Sequence, residues 1–463
     1  MPAASREDKP NNMVRFCRLA FACIAAALVW TSSAWAAKSW TLIHEQDPSA
    51  TEIQLHWVVR SGSLRDGLDK PGLAHFTARA LLRGTTTRPY ADLTQALRAI
   101  PATITVEMQH EFTRFSCRFP SNRLDAFLHL MRDVFSNPEF DPMEMDRLRI
   151  ELLAESRSAV QDARRLISRV AMRELYSGTA AQSAPEGEAS SLARISATDV
   201  RQFHRQHYGV SNFVLAIAAP QSEATVRSKI SQILSSVPEV VSNPVALPPH
   251  TSSGISGIII ADPSAVDVPF QVLLPGVASS DSERIGLELA NRAFGVGPDS
   301  RLAQFAPNLN GWLTWASSGF NQVIGISKGV GPYSITGTAT REYASDVLPA
   351  TVDLFKWFID DGVTEPEFRK ARDETLAAVP VAQDSPRKKL EQRLEAALSE
   401  KTWLDLPGWQ SELGRWSAKS VSSTMKSRMS FDPIVVVILG DPASLVPVLE
   451  AVPGMQSIRV IQR

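Results

Sequence analysis

The strongest constraint on this chain is that it repeats itself. The segment IHEQDPSATEIQLHWVVRSG at 43–62 is matched by IIIADPSAVDVPFQVLLPG at 258–276: an apolar run, the turn Asp-Pro-Ser-Ala, then a second apolar run. The two aspartates, Asp47 and Asp262, stand 215 residues apart. A second match, SNFVLAIAAPQSEATVRSKISQIL at 211–234 with FDPIVVVILGDPASLVPVLEAV at 431–452, has an offset of about 220 and pairs a buried strand with an amphipathic helix. Two matches in the same order at nearly one spacing mark a duplication, so both halves face the same folding problem. Between them VPEVVSNPVALPPHTSSG (237–254) carries four prolines and no hydrophobic periodicity, which suits an extended linker.

Within each half the pattern switches between periods of two and of 3.6. Residues 53–60 alternate as a strand, and VEMQHEFTRFSCRF (106–119) alternates with Phe112 and Phe115 among its large residues, as antiparallel strands do. Helical patterns occupy 72–83, 121–135, 141–160, 161–176 and 197–207, the last opened by Ser196 with Asp199 as a capping box. Strands with helices on one face predict an α+β sandwich in each half. With 463 residues, 44% of them hydrophobic, the chain is long enough for two well-cored domains. A net charge of −1, without long runs of one sign, gives no reason to expect nucleic acid or an anionic membrane surface as partner.

The N-terminus reads as a secretory leader: Arg15 and Arg18, the apolar run 19–30, then small residues Ala34 and Ala36 at a cleavage site. The apolar run is short for a bilayer span. The expected location is therefore outside the cytoplasm, periplasmic or secreted, with no membrane span after cleavage. Cys17 and Cys23 leave with the leader, and Cys117 alone cannot form an internal disulfide.

GSLRDGLDKPGLAHFTARALLRGT (62–85), the strands near 103–119, DRLRIELLAESRS (146–158), DVRQFHRQHYGVSNFVLAIAAP (199–220), Ser300-Arg301-Leu302 and the similar second half together resemble the pitrilysin/insulinase family of zinc peptidases. The resemblance covers roughly residues 40–460. It implies an α+β fold of two homologous α/β sandwich halves, of the metallopeptidase clamshell type, joined by the Pro-rich linker. The division is then a leader 1–36, an N-terminal half 37–236, the linker 237–254 and a C-terminal half 255–463.

The family's inverted motif His-x-x-Glu-His supplies two zinc ligands four residues apart on one helical face and a glutamate that takes a proton from zinc-bound water. Here the motif reads His75-Phe76-Thr77-Ala78-Arg79. His75 keeps the first ligand, Ala78 puts a methyl group at the general-base position, and Arg79 replaces the second ligand with a cation that has no lone pair to give. The third ligand in the family is a glutamate about eighty residues downstream, which Glu155 matches. His75 and Glu155 thus form a vestigial metal pair, and Arg79 is expected to pair with Glu155 or Glu151 instead. No cofactor is expected, zinc being possible only with an unconventional ligand set.

Other candidates are weaker. His204 and His207 beside Tyr208, His110 beside Glu111, and Cys117 in a strand all suit packing. The glycines of SKGVGPYS (327–334) lack the setting of a phosphate loop. In the second half Pro307 and Thr314 stand where the family places an arginine and a tyrosine that help bind substrate; Trp312 and Trp315 suit peptide contact or packing. The resemblance aligns Thr103, Ile104, Thr105, Val106, Glu107 and Met108 with the family's substrate-binding edge strand, where a peptide adds through backbone hydrogen bonds. The functional expectation is an exported, inactive subunit that binds peptide and pairs with an active family member, or with itself. An unconventional zinc endopeptidase and a noncatalytic scaffold of an envelope assembly are the alternatives.

Overall fold

The computed structural model describes residues 40–240, 245, 253–308, 313–320 and 330–463. The expected leader, most of the linker, Trp312 and the glycine-rich stretch up to residue 329 lie outside them, as do the side chains of Pro307, Thr314 and Trp315.

The first half contains strands β1 (Thr41–Gln46), β2 (Glu52–Val59), β3 (Thr103–Met108), β4 (Thr113–Pro120) and β5 (Phe213–Ala219), in the spatial order β1-β5-β2-β4-β3. Only β1 and β5 run parallel. The second half repeats the order with β6 (Ile255–Ala261), β7 (Asp267–Pro275), β8 (Leu313–Phe320), β9 (Pro332–Thr340) and β10 (Ile434–Gly440), and adds an edge strand, β11 (Met455–Gln462), giving β8-β9-β7-β10-β6-β11. The repeated turn is the same to the atom. Asp47 Oδ1 accepts from the Ser49 backbone N–H and hydroxyl at 3.2 and 2.7 Å. Asp262 Oδ1 does the same with Ser264 at 3.2 and 2.6 Å. In each half the aspartate N–H donates to the end of the neighbouring strand, Ala219 O or Gly440 O, at 2.9 Å.

The helices that matter for the site are α1 (Leu73–Ala80), α2 (Pro142–Ala159), α3 (Ala163–Leu175) and α4 (Ala197–His207); α5 (Glu365–Ala382) and α6 (Pro386–Leu398) are the second-half counterparts of α2 and α3. The 72–83 segment shortens to α1 followed by a 3-10 turn over Leu81–Arg83. The alternating segment 106–119 divides at a turn, and Phe112 in that turn faces away from the Phe115 core.

Expectation and structure differ most in the layering. Helices cover both faces of each sheet, because α3 crosses to the second sheet and α6 crosses to the first. On α3, Ile167, Val170, Ala171 and Leu175 pack with Ile258, Ile260, Leu273, Val435 and Val437. On α6, Leu390, Leu394 and Leu398 pack with Ile43, Val58, Val214, Ala216 and Ala218. The opposite faces, such as Leu55, Trp57, Leu215 and Ile217, meet the half's own helices. This accounts for the unbroken apolar runs FVLAIAA and IVVVILG, every residue of which is buried, as in sheets covered on both sides.

Charged groups frame the exchanged helices. His56 Nε2 lies 2.6 Å from Glu391, and Arg114 pairs with Glu395. Arg393 donates to His44 O at 3.0 Å and pairs with Glu45. On the other side Arg459 pairs with Glu174, and Arg463 donates to Gln161 O at 2.9 Å.

Leu394 is 0% exposed between the halves, so Leu394→Ala is expected to cost about 2–5 kcal/mol of stability. Urea denaturation followed by circular dichroism checks this: one transition should shift as a unit. A variant whose second half melts at an unchanged midpoint would show that the exchange does not couple the halves.

Candidate functional site

The site is built around α1. Its first turn is not capped by a neighbour in sequence. Asp66, six residues before Gly72, accepts hydrogen bonds from Gly72 N at 2.6 Å and Ala74 N at 2.7 Å. Burial pushes the Asp66 carboxyl well up, and the backbone donors at Ala74, Gly72 and Leu73 oppose that shift. Gly72 has φ 92° and lies against Gly187, whose Cα would be 2.8 Å from any Cβ placed on Gly72. Only glycine fits at that contact. The contact brings α1 against the 183–187 loop, where His75 Nδ1 donates to the Glu186 carbonyl at 3.3 Å.

His75 is nearly buried, and burial, with Arg79 adding to it, lowers its pKa so that the ring is neutral at neutral pH. Ala78 is fully buried in the core of the first half. Arg79 turns to α2 and forms a two-pronged pair with Glu155, Nη1 and Nη2 lying 3.1 and 3.2 Å from the two carboxylate oxygens. Glu151 is 3.8 Å from Arg79 and is engaged by Arg83. Both glutamates offered as partners for Arg79 are therefore used. A zinc ion does not fit this donor set. Of the three positions that would hold it, one carries a fixed positive charge, and that charge already occupies the carboxylate of another.

Beside the pair opens a cavity of about 770 Å³ whose lining, among the described residues, comes from the first half. His75, Arg79 and Glu155 form one part of its wall and Val106, Glu107 and Met108 of β3 another. β3 is the last strand of its sheet, paired on one side with β4 in the register Thr103↔Arg118 to Met108↔Thr113. Among the described residues no strand lies on its outer edge, so the segment Thr103–Met108 presents backbone groups beside the cavity.

The remaining candidates are structural. His204 Nε2 donates to Phe135 O at 2.9 Å, and the ring stacks on Tyr208. His110 is buried with Nδ1 2.9 Å from Ser63 Oγ, and burial lowers its pKa to about 4. Cys117 is buried, which pushes its thiol up and away from reactivity. Arg301, part of the Ser-Arg-Leu marker, pairs with Glu367 at 2.6 and 2.9 Å and donates to Gly362 O, anchoring the start of α5. Sequence reasoning missed Asp66, Gly187 and Arg83. Each acts across a distance in the chain that no capping or motif spacing announces.

Two family patterns match the chain: that described as Insulinase (Peptidase family M16) over residues 41–186, and that described as Peptidase M16 inactive domain over 194–375. The chain belongs to peptidase family M16. Among M16 relatives, a probable mitochondrial-processing peptidase subunit beta from Arabidopsis thaliana is 23% identical over 54% of this chain and 48% of its own length. An uncharacterized zinc protease from Mycobacterium leprae is 22% identical over 72% of this chain and 74% of its own. Cytochrome b-c1 complex subunit 1 from Mus musculus is 25% identical over 54% and 52%. The match thus spans about half the length of the plant and mouse proteins. The M16 fold is seen in a peptidase M16 inactive domain from Pseudomonas fluorescens, with TM-score 0.78 and 20% identity over 88% of this chain and 97% of that one. A protease from Helicobacter pylori gives TM-score 0.74 and 13% identity over 86% and 96%.

Replacing one side chain tests the reading of the donor set. Arg79→His places a neutral imidazole one turn after His75 and frees Glu155, so zinc binding is expected to appear; Glu155→Gln added to it should remove that binding. Equilibrium dialysis with metal analysis reads both outcomes. A second test concerns pH. Burial is the main cause that lowers His204 from 6.5 to about 4, and it does the same to His207. The unfolded chain therefore binds these protons first, so the stability they carry is present above about pH 6.5 and lost as pH falls toward about 4. His204→Gln is expected to flatten the fall of the urea midpoint across that window.

Proposed function

We propose that this chain is an exported, noncatalytic M16 subunit that holds an extended peptide along β3 and pairs with a zinc-bearing M16 protein, the two together enclosing the peptide. The observation that carries this reading is the Arg79–Glu155 pair beside the buried methyl of Ala78. That arrangement leaves a methyl group at the base position and engages two of the three ligand positions, while among the described residues no strand covers the edge of β3 beside the cavity. Peptide capture needs only backbone donors and acceptors on an edge strand, and it survives the loss of catalytic side chains. Two of the relatives are named as subunits, which supports a role inside an assembly. Among the described residues no helix is long and apolar enough to cross a membrane.

The purified chain is expected to carry well under one zinc per molecule and to leave a peptide library uncleaved, as read by metal analysis and mass spectrometry. Co-expressed with an M16 protein that has an intact His-x-x-Glu-His, it should elute with that protein on size exclusion and change its rate. One tightly bound zinc with chelator-sensitive cleavage by this chain alone would overturn the reading. Separate elution with an unchanged partner rate would remove the pairing from it.

A further inference from the structure

The cavity beside β3 is lined by two cations that the Arg79–Glu155 pair does not engage. Three carboxylates line it. Glu155 is taken by Arg79, and Glu107 lies 3.6 Å from Arg114, a cation outside the lining that Glu391 and Glu395 share. Glu186 is left as the one lining carboxylate without an ion pair among the described residues. Against it stand two lining cations of α3, Arg165 and Arg169, which form no ion pair with any described carboxylate. Arg169 Nη2 donates to Gly187 O at 3.1 Å, which orients the guanidinium without neutralising it. Arg165 and Arg169 are four residues apart and so share one face of α3. That face fronts the same cavity as Val106–Met108 of β3.

We infer that the cavity selects for peptides with an acidic side chain, the carboxylate being held by Arg165 and Arg169 while the peptide backbone pairs with β3. The inference rests on the peptide-holding reading given above and names the class of peptide. An extended segment added to β3 sends every second side chain to one face of the sheet, and the cavity opens beside that strand. A planar guanidinium matches a carboxylate with two parallel hydrogen bonds, and two such groups on one helix face provide more than one way to make them. His110 is held neutral by burial and supplies no competing charge near neutral pH. A basic peptide meets two unpaired cations, and a neutral one leaves them without a carboxylate among the described residues.

The test uses the full chain and three labelled peptides of one sequence, differing only in a central pair of Glu, Gln or Lys, with binding followed by fluorescence anisotropy. The Glu peptide is expected to bind about tenfold more tightly than the Gln peptide, and the Lys peptide most weakly, with the difference shrinking as salt rises. The double variant Arg165→Gln with Arg169→Gln should bind all three alike, at the affinity the wild type has for the Gln peptide. Arg165→Gln alone changes an exposed side chain without disturbing packing, and should remove part of the preference. Equal binding of the Glu and Gln peptides by the wild type overturns this inference and leaves capture by β3 standing. A preference that persists in the double variant also overturns it. Failure of all three peptides to bind overturns the peptide-holding reading and this inference with it.

Discussion

Each of the two sheets has two apolar faces, and one face of each is covered by a helix that belongs to the other half. A sheet buried on both sides gains from twice the apolar area, and a fully buried leucine contributes about 1.5–3 kcal/mol relative to an exposed one. The gain is reciprocal. α3 cannot leave the second sheet without exposing Ile258, Val435 and Val437, and α6 cannot leave the first without exposing Val58, Val214 and Ala216. The duplication therefore produced two folds that complete each other. α2 and α3 in one half correspond to α5 and α6 in the other, and Glu155 is positioned by α2, whose Met145, Leu148 and Leu152 are buried in the first-half core with residues of α1.

The fold was legible in the sequence wherever local pattern and long-range packing agreed. The Asp-Pro-Ser-Ala turns, the capping box at Ser196 and the two apolar runs at 213–219 and 434–440 all stand where the pattern puts them. Those runs also carried the information that both faces are covered, because they lack the alternation of a sheet with one wet face. What covers them was not legible. The apolar stripe of α3 looks the same whether it packs on its own sheet or on another, since periodicity records that a face is buried and not against what.

At the site, the sequence was informative about chemistry and silent about support. The family resemblance, which aligns Arg79 and Glu155 with two ligand positions, was enough to expect an ion pair, and the two-pronged geometry follows from the guanidinium's shape. The support comes from Asp66, six residues before Gly72 and outside any capping spacing, and from the Gly72–Gly187 contact, which joins segments far apart in sequence; both use ordinary residue types. An exposed pair such as Arg79–Glu155 adds little stability, of the order of 0.2–1 kcal/mol. Its importance is chemical, since it places a cation without a lone pair to give at a ligand position.

The helix exchange has a mechanical consequence. Two bodies that hinge apart need a contact that can be broken and remade, and here the contact between halves is core, with leucines and valines from both sides. The halves therefore count as one rigid unit with no internal opening coordinate of their own. Among the described residues the cavity beside β3 is lined by the first half, so this unit offers one wall to a ligand. In the enclosure proposed above, the freedom to open and shut would reside where this unit meets its partner, which would make that meeting the adjustable part.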